Sequence, residues 1–294
     1  MFYLSFLSND RDVKGVLVNI YNLRKYGCNH PYRCICLHTI DSATKSLLKY
    51  NGIQVIVRNF ETFLKDTNVS ADVYNLLMQK AWWGKLMMFN IVSDNEKCVY
   101  LDADIFIFKN LDILFTADLE YNKVLMVNDM ALVGNQTTND YDIVLKKNLF
   151  NSGVIVFSNN DIVDKIKSLL QTISLKSLQS MYGDQDVINF LYNNKKVSID
   201  PLKIHFNVWP QMADVFEKKG LLKKEDIYII HYVCDHKPWE NALISRTFYF
   251  DSEKNYYLLW NKRYHQFLEE CIHVHSDKMQ IHDVFEKPFN NSAV

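Results

Sequence analysis

The stretch at residues 98–108 decides the fold and reads Cys98-Val99-Tyr100-Leu101-Asp102-Ala103-Asp104-Ile105-Phe106-Ile107-Phe108. Four apolar or aromatic residues lead into an acidic pair, and four more follow it. Short apolar runs of this kind are typical of strands that are buried on both faces. A carboxylate pair this close to a core is costly unless a positive group lies on it. In an extended chain the two side chains point to the same side, roughly 7 Å apart, which suits a hard divalent cation.

The spacing alone has little weight, because Asp-x-Asp occurs four times, at Asp10/Asp12, Asp102/Asp104, Asp140/Asp142 and Asp184/Asp186. The first and third pairs lie in polar surroundings that are typical of turns. The fourth pair opens a predicted helix, where residues two apart do not share a face. We interpret the second pair as a metal site, with a solvated or helix-capping pair as the alternative.

Composition and charge limit the classes of protein to which the chain can belong. Its 294 residues suit one large α/β domain or two small ones, and hydrophobic residues make up 48% of them, enough for a sizeable core. Lys and Arg number 33 against 34 Asp and Glu, a net charge of −1. This balance does not favour a nucleic-acid partner, so a phosphate-bearing ligand must be bound by local charges.

Cysteine usage and hydropathy predict the compartment. The six cysteines form no Cys-x-x-Cys pair and no zinc spacing, which favours a reducing environment. The first residues lack the basic start of a signal peptide, and no apolar run approaches the ~18 residues of a membrane span. We therefore expect a cytoplasmic protein without a transmembrane segment.

Strands and helices are predicted to alternate, which indicates a Rossmann-like mixed α/β sheet flanked by helices in a single domain. Besides the central stretch, the predicted strands cover residues 2–7, 33–38, 53–57, 123–127, 151–158 and 227–230. The predicted helices cover residues 12–26, 41–50, 73–92 and 161–173, and another starts near residue 182. We also expect a helical turn at residues 112–115 and a polar loop or lid at residues 137–147.

A stripe of mostly aromatic side chains at helical spacing lies near the C-terminus. We expect it to pack on the main domain, with a membrane or partner surface as the alternative. Its members are Tyr256, Trp260, Tyr264, Phe267, Leu268 and Cys271.

Polar residues at predicted strand ends define a candidate site, because ligands of open α/β sheets bind beyond the carboxyl ends of the strands. Asp102 and Asp104 follow one strand, Asn151-Ser152 borders another, and His231 follows a third. Two carboxylates and an imidazole would leave an octahedral Mn²⁺ or Mg²⁺ with about three open positions for phosphate oxygens. Lys237 is well placed to neutralise the same phosphates.

The order of these motifs resembles the family 8 glycosyltransferases, which include glycogenin, galactinol synthase and bacterial lipo-oligosaccharide galactosyltransferases. Each motif is weak alone, but together they follow the family order from residue 1 to residue 239. They are Ser8-Asn9-Asp10 with Lys14-Gly15, Lys85, Leu101-Asp102-Ala103-Asp104, Asn151-Ser152-Gly153-Val154, Gly183-Asp184-Gln185, and His231 through Lys237-Pro238-Trp239.

The resemblance implies a GT-A fold over residues 1–250, with residues 251–294 as a helical extension packed on it. It also implies a UDP-sugar donor and Mn²⁺ (or Mg²⁺) held by Asp102, Asp104 and His231. The catalytic residues would be Asp184, Gln185 and Lys237, with Lys237 on the diphosphate. The substrate-binding residues would be Phe6, Leu7 and Asn9 at the nucleoside and Lys85, Ala103, Asp129, Asn151 and Ser152 near the donor. Two residues differ from the family pattern: Asp12 stands where glycogenins have an aromatic residue, and Cys234 where a glycine is usual.

From these residues we predict a metal-dependent retaining transferase that moves a hexose from UDP-glucose or UDP-galactose to an acceptor. The alternatives are a nucleotide-sugar hydrolase and a carbohydrate-binding or regulatory pseudo-enzyme. Residues 193–227 contain no tyrosine, whereas glycogenin glucosylates a tyrosine of its own in the matching segment. We therefore expect a separate saccharide or polyol acceptor. Trp209 could stack on a sugar, with a core tryptophan as the alternative.

Overall fold

The N-terminal part of the chain alternates strands and helices as predicted. The structure, a computed structural model, describes residues 1–275 except 94–95, 120–122, 136–139, 159–160, 234–236, 241–247 and 249–250. All six side chains of the first strand are buried, as expected where helices cover both faces of a parallel sheet. The elements are β1 (Phe2–Leu7), α1 (Val13–Lys25), β2 (Tyr32–Leu37), α2 (Ser42–Tyr50) and β3 (Gln54–Arg58).

The single helix predicted over residues 73–92 is wrong. Helices α3 (Phe60–Thr67) and α4 (Ala71–Met78) are followed by a 3₁₀ helix, Ala81–Asn90. The backbone of Lys80 is extended between α4 and the 3₁₀ helix. Gly84 lies so close to the sheet that an added Cβ would meet Phe6 at 3.0 Å. Tertiary packing therefore outweighs the helical periodicity of this segment.

The central stretch forms two strands that belong to different sheets. They are β4 (Lys97–Leu101) and β5 (Ile105–Ile107). The two apolar runs are thus strands as predicted, but the acidic pair between them lies in a turn and not in extended chain. The short helical turn predicted next is present as a 3₁₀ helix, Asp112–Thr116.

Strands β6 (Lys123–Asn135) and β7 (Asp140–Ser158) form a long antiparallel pair. The loop or lid predicted at residues 137–147 is wrong for residues 140–147, which belong to β7. Residues 137–139 of that prediction lie outside the described part of the chain. Cross-strand apolar pairs such as Met130 with Leu145 and Leu132 with Ile143 continue the strands, and such pairs stabilise a ladder despite polar neighbours.

The rest of the described chain supplies the helices and strands that complete the site. Helices α5 (Ile162–Thr172), α6 (Leu175–Gln179) and α7 (Asp184–Asn193) come first. Strand β8 (Ser198–Leu202), helix α8 (Pro210–Lys218), strand β9 (Ile229–His231) and helix α9 (Asp251–His275) follow. The predicted helix at residues 161–173 is confirmed as α5. The last predicted strand is shifted, so that His231 lies inside β9.

Two sheets bring the predicted site residues together near the carboxyl end of β4. The larger sheet has the order β3-β2-β1-β4-β7-β6-β8, and β5 pairs with β9 in a two-stranded sheet. Strands β1 to β4 are parallel, whereas β7 is antiparallel to both β4 and β6. Because of this reversal, Asn151 and Ser152 lie beside the carboxyl end of β4 although they are inside β7. The sheet is therefore mixed, as predicted.

The aromatic stripe of α9 packs inward. Trp260 is fully buried, and its ring centroid lies 5.6 Å from that of Trp239. Tyr264 and Phe267 are also buried, and the helix contacts α1 and α8. Within the described residues, no helix has the length and apolar character needed to cross a membrane.

Candidate active site

Two carboxylates and an imidazole meet at the edge shared by the two sheets. Asp102 follows β4, Asp104 precedes β5, and the β-pairing of Ile105 with His231 brings the imidazole opposite them. Ligand atoms of the three side chains lie within 4.8 Å of one another. The Nε2 atom of His231 is 3.2 Å from Asp104 Oδ1 and 3.8 Å from Asp102 Oδ2. The three predicted metal ligands are therefore close enough to share one cation.

Backbone contacts hold the acidic turn in place. The amide of Asp102 donates to Gly153 O at 2.9 Å, and Asn19 Nδ2 donates to Asp102 O at 2.9 Å. Helix α1 approaches the turn so closely that a Cβ on Gly15 would lie 2.2 Å from Ala103 O. A glycine is required at position 15 because any side chain would displace the turn.

Two lysines flank the carboxylates. Lys85 Nζ lies 2.9 Å from Asp102 Oδ1 and 3.1 Å from Asp184 Oδ2. Lys237 Nζ lies 2.5 Å from Asp104 Oδ2. Burial acts to raise the pKa of Asp104, but Lys237 and His231 outweigh burial and lower that pKa. Asp104 thus keeps its negative charge at neutral pH.

A chain of buried amides supports the imidazole from behind. His231 Nδ1 is 2.9 Å from Asn207 Oδ1, and Asn207 Nδ2 donates to Asn151 Oδ1 at 2.8 Å. The amide of Gly153 donates to the same oxygen at 2.9 Å. A Cβ on Gly153 would lie 2.2 Å from the imidazole. Gly153 therefore makes room for the imidazole. Asn151 supports His231 indirectly, through its hydrogen bond with Asn207.

The start of helix α7 contributes two of the predicted catalytic residues. Asp184 is the first helical residue, next to Gly183, and its carboxylate faces Lys85. Gln185 Oε1 accepts a hydrogen bond from the amide of Ser152 at 3.2 Å. Ser152 also accepts two hydrogen bonds from Lys85, through its carbonyl and its hydroxyl. These contacts join α7, β7 and the 3₁₀ helix at one point.

A cleft of about 210 Å³ lies beside this cluster and is lined by the acidic pair, both lysines and Asp184. Its lining combines charged and polar side chains with four aromatic ones. The lining residues are Phe6, Ser8, Asp12, Trp82, Lys85, Tyr100, Asp102, Ala103, Asp104, Ser152, Asp184, Lys237 and Trp239.

Five of the predicted substrate-binding residues do not line this cleft. One is Asn151, whose side-chain oxygen accepts from Asn207 and from the Gly153 amide instead. Leu7 is fully buried in β1. Asn9 caps the following helical turn through a bond from the Asp12 amide. Asp129 pairs with Lys146 at 3.0 Å on the β6–β7 hairpin. Trp209 is half-buried at the start of α8. Their predicted roles would require contacts beyond this cleft. Cys234, which stands where the family usually has a glycine, lies outside the described residues.

Asp12 lies in the cleft at the position where the sequence differs from the family pattern. Burial and the nearby Asp104 carboxylate raise its pKa to about 6, against the lowering effect of Asn9, Lys237 and Arg11. A charged residue in place of an aromatic one therefore changes the electrostatics of this wall.

Sequence reasoning assigns no role in the site to four residues that complete it. Tyr100 donates from its hydroxyl to Asp102 Oδ1 at 2.6 Å, and it was treated as a core residue because it lies inside an apolar run. Asn207 had no signal of its own, since it is far from the other motifs in sequence. Trp82 and Trp239 line the cleft. Trp239 ends the last motif of the family order and Trp82 lies three positions before Lys85, but no role is predicted for either.

Comparisons with known proteins agree with this geometry. A profile of glycosyl transferase family 8 matches residues 4–242. Galactinol synthase 7 of Arabidopsis thaliana is 25% identical over 256 residues, which cover 81% of this chain and 73% of that protein. Glycogenin-1 of Caenorhabditis elegans is 22% identical over 275 residues, which cover 90% of this chain and 55% of that protein.

A solved structure shows the same architecture. The galactosyltransferase LgtC, crystallised with donor and acceptor sugar analogues, superimposes with a TM-score of 0.62 at 16% identity. The match covers 90% of this chain and 96% of that chain, and it confirms the predicted GT-A fold. Because the profile spans most of the chain, the resemblance seen in the motifs is confirmed and this protein belongs to glycosyl transferase family 8.

Proposed function

We propose that this glycosyltransferase is a metal-dependent, retaining enzyme that transfers a hexose from UDP-glucose or UDP-galactose to a separate saccharide or polyol. The observation that carries the proposal is the convergence of Asp102, Asp104 and His231 with Lys85 and Lys237 in one cluster. Carboxylates and an imidazole bind a divalent cation, and lysines neutralise the remaining phosphate charge. A diphosphate leaving group needs both.

The three side chains suit Mn²⁺ or Mg²⁺. Both ions accept carboxylate oxygens, and Mn²⁺ also accepts an imidazole nitrogen. The glycine at position 153 leaves the room that the imidazole occupies, which supports a site shaped around His231. When bound, the ion would stabilise negative charge on the departing diphosphate.

Transfer with retention would proceed on one face of the sugar. The bond from the anomeric carbon to the β-phosphate oxygen breaks, and the acceptor oxygen bonds to that carbon from the same side. The departing phosphate oxygen accepts the proton of the acceptor hydroxyl, so no side chain has to act as general base. Lys237 would balance the charge that develops on UDP, while Asp184, Gln185 and Lys85 orient the hexose.

The acceptor is proposed to be a second molecule. The segment between α7 and β9, where a tyrosine acceptor would be expected by analogy with glycogenin, has no phenol in residues 193–227. A saccharide or small polyol would supply the hydroxyl, with Trp209 as a stacking surface. We also propose a cytoplasmic location, which is supported by the buried free thiols of Cys28, Cys34, Cys36 and Cys98.

A panel of sugar nucleotides tests the proposal. UDP release is measured with UDP-glucose, UDP-galactose and UDP-N-acetylglucosamine, with Mn²⁺, with Mg²⁺ and with EDTA, in the presence and absence of saccharides and polyols. We expect release from a UDP-hexose that depends on the metal and on an acceptor, with an α-linked first product by NMR. Release that ignores every acceptor would favour the hydrolase instead, and a β-linked product would contradict retention.

A further inference from the structure

The two neighbouring tryptophans of the 3₁₀ helix face opposite ways. Trp83 is 2% exposed and belongs to the core, whereas Trp82 is 47% exposed. The Trp82 side chain lines the cleft together with Lys85 and Asp184. A half-exposed indole in the wall of a cleft offers a ligand an open aromatic face.

The Trp82 ring is held in a fixed orientation. Its Nε1–H donates to the carbonyl oxygen of Tyr182 at 3.2 Å. Gly183 packs against the indole, since a Cβ there would lie 3.7 Å from the ring. The ammonium of Lys80 lies 5.1 Å from the ring centroid. A ring that is already oriented loses little conformational freedom when a ligand stacks on it.

The neighbours of the ring indicate what would stack there. Gly183, which touches the indole, directly precedes Asp184, and the Asp184 carboxylate pairs with Lys85 at 3.1 Å. Charged groups therefore lie beside an aromatic face. A pyranose ring has the complementary surface, with hydroxyls on its edge and an apolar face of C–H groups. The diphosphate has no such apolar face.

We propose that Trp82 is a donor-binding residue that stacks on the hexose of the donor while Asp184 and Lys85 bind its hydroxyls. This inference rests on the proposed function, because it takes a UDP-hexose as the ligand. It adds a residue that the motif order did not include, and it explains why the tryptophan at position 82 stays exposed while its neighbour is buried. Stacking would contribute to binding of the sugar but not of UDP.

The test compares the affinities of UDP and of UDP-hexoses for the full chain with Mn²⁺ present, by calorimetry. We expect Trp82→Ala to weaken binding of the preferred UDP-hexose by about tenfold and to leave UDP affinity unchanged. Trp82→Phe keeps an aromatic face but loses the bond to Tyr182, so its loss should be smaller. Tyr182→Ala is the matched control, because its 84% exposed side chain is removed while its carbonyl remains.

Three outcomes would overturn the inference. UDP-hexose affinity equal to that of the wild type in Trp82→Ala would exclude a contact with the sugar. An equal loss for UDP and UDP-hexose would place the ring on the nucleotide. A loss of affinity in Tyr182→Ala as large as in Trp82→Ala would point to a general disturbance of the loop. If the wild type binds no UDP with Mn²⁺ present, the proposed function fails and this inference falls with it, a result distinct from the other three.

Discussion

The side-chain oxygen of Asn207 lies 2.9 Å from Nδ1 of His231, and this contact decides which imidazole nitrogen faces the acidic pair. The amide of Gly153 can only donate, so the atom of Asn151 that it contacts is an oxygen. The same oxygen accepts a hydrogen bond from Asn207 Nδ2. Asn207 Oδ1 is therefore the atom that accepts from Nδ1–H of His231. In the neutral form of the imidazole, Nε2 then carries the lone pair on the side of Asp102 and Asp104, as a metal ligand requires.

Removing the Asn207 acceptor should therefore weaken metal binding. We expect Asn207→Leu to lower Mn²⁺ affinity by about 10- to 100-fold, because the imidazole loses the partner that fixes its tautomer and orientation. Free Mn²⁺ is measured by electron paramagnetic resonance without any donor present. Asn207→Asp is the control, since its carboxylate still accepts from Nδ1–H and should preserve more of the affinity. Unchanged Mn²⁺ binding in Asn207→Leu would contradict this role.

Asp104→Asn should abolish metal-dependent transfer while the fold is retained. The substitution removes a charged ligand at the centre of the cluster, and we expect activity to fall by about a hundredfold or more. Asp142→Asn provides the control, because it alters another Asp-x-Asp pair on the exposed hairpin. Initial rates of UDP release and thermal melting are compared for both variants. Full activity of Asp104→Asn, or of the wild type in chelator, would refute the metal role.

The sequence predicted the parts of the site that lie at strand ends, because the period of buried strands and the motif order both mark these positions. Asp102, Asp104 and His231 were found in this way. Asn207 could not be found, since a bridge between Val208 and Ile230, which no local pattern reveals, brings its segment beside His231. A contact between residues that local patterns do not link depends on tertiary packing.

The fold shows the same division between local and tertiary signals. Strand β1 is a short run of buried residues, and helix α2 has helical periodicity and a capping residue, Asp41, which accepts from the amide of Ala43. Both elements were predicted. The helix predicted at residues 73–92 is wrong, because the segment around Gly84 packs closely against Phe6 and Leu37 and is a 3₁₀ helix there. Its periodicity is real, but the close packing on the sheet decides the conformation.

Lys237→Ala should lower kcat more than it raises KM for the donor. Charge builds up on the diphosphate as the sugar bond breaks, so the ammonium acts mainly in the transition state. Rates are measured at saturating Mn²⁺, because Lys237 also pairs with Asp104 at 2.5 Å and its removal alters the cluster. Lys237→Arg keeps the charge and should recover part of kcat. A normal kcat with only weakened donor binding would argue against the role.

Asp12 should make the metal-free protein less stable as pH rises. Its pKa is raised from the ordinary 3.8 to about 6 by burial and by Asp104, so ionisation costs more in the folded state than in the unfolded one. The free energy of unfolding therefore falls between about pH 4 and pH 6. In EDTA at pH 7, Asp12→Asn should be more stable than the wild type by roughly 3 kcal/mol, and the gap should close below about pH 4. Urea unfolding across this range measures it, and a constant gap would exclude the Asp12 origin.

The chain should not add sugar to itself. Autoglycosylation needs a hydroxyl held about 3–3.5 Å from the anomeric carbon, and residues 193–227 offer no tyrosine for this purpose. We expect intact-mass spectrometry to show an unchanged mass after incubation with Mn²⁺ and UDP-glucose or UDP-galactose. Purified glycogenin, treated in parallel, shows that the conditions support self-transfer. Because Asp104→Asn should lack transfer, a ladder of hexose masses on the wild type that is absent from this variant would establish self-glycosylation and exclude an exclusively separate acceptor.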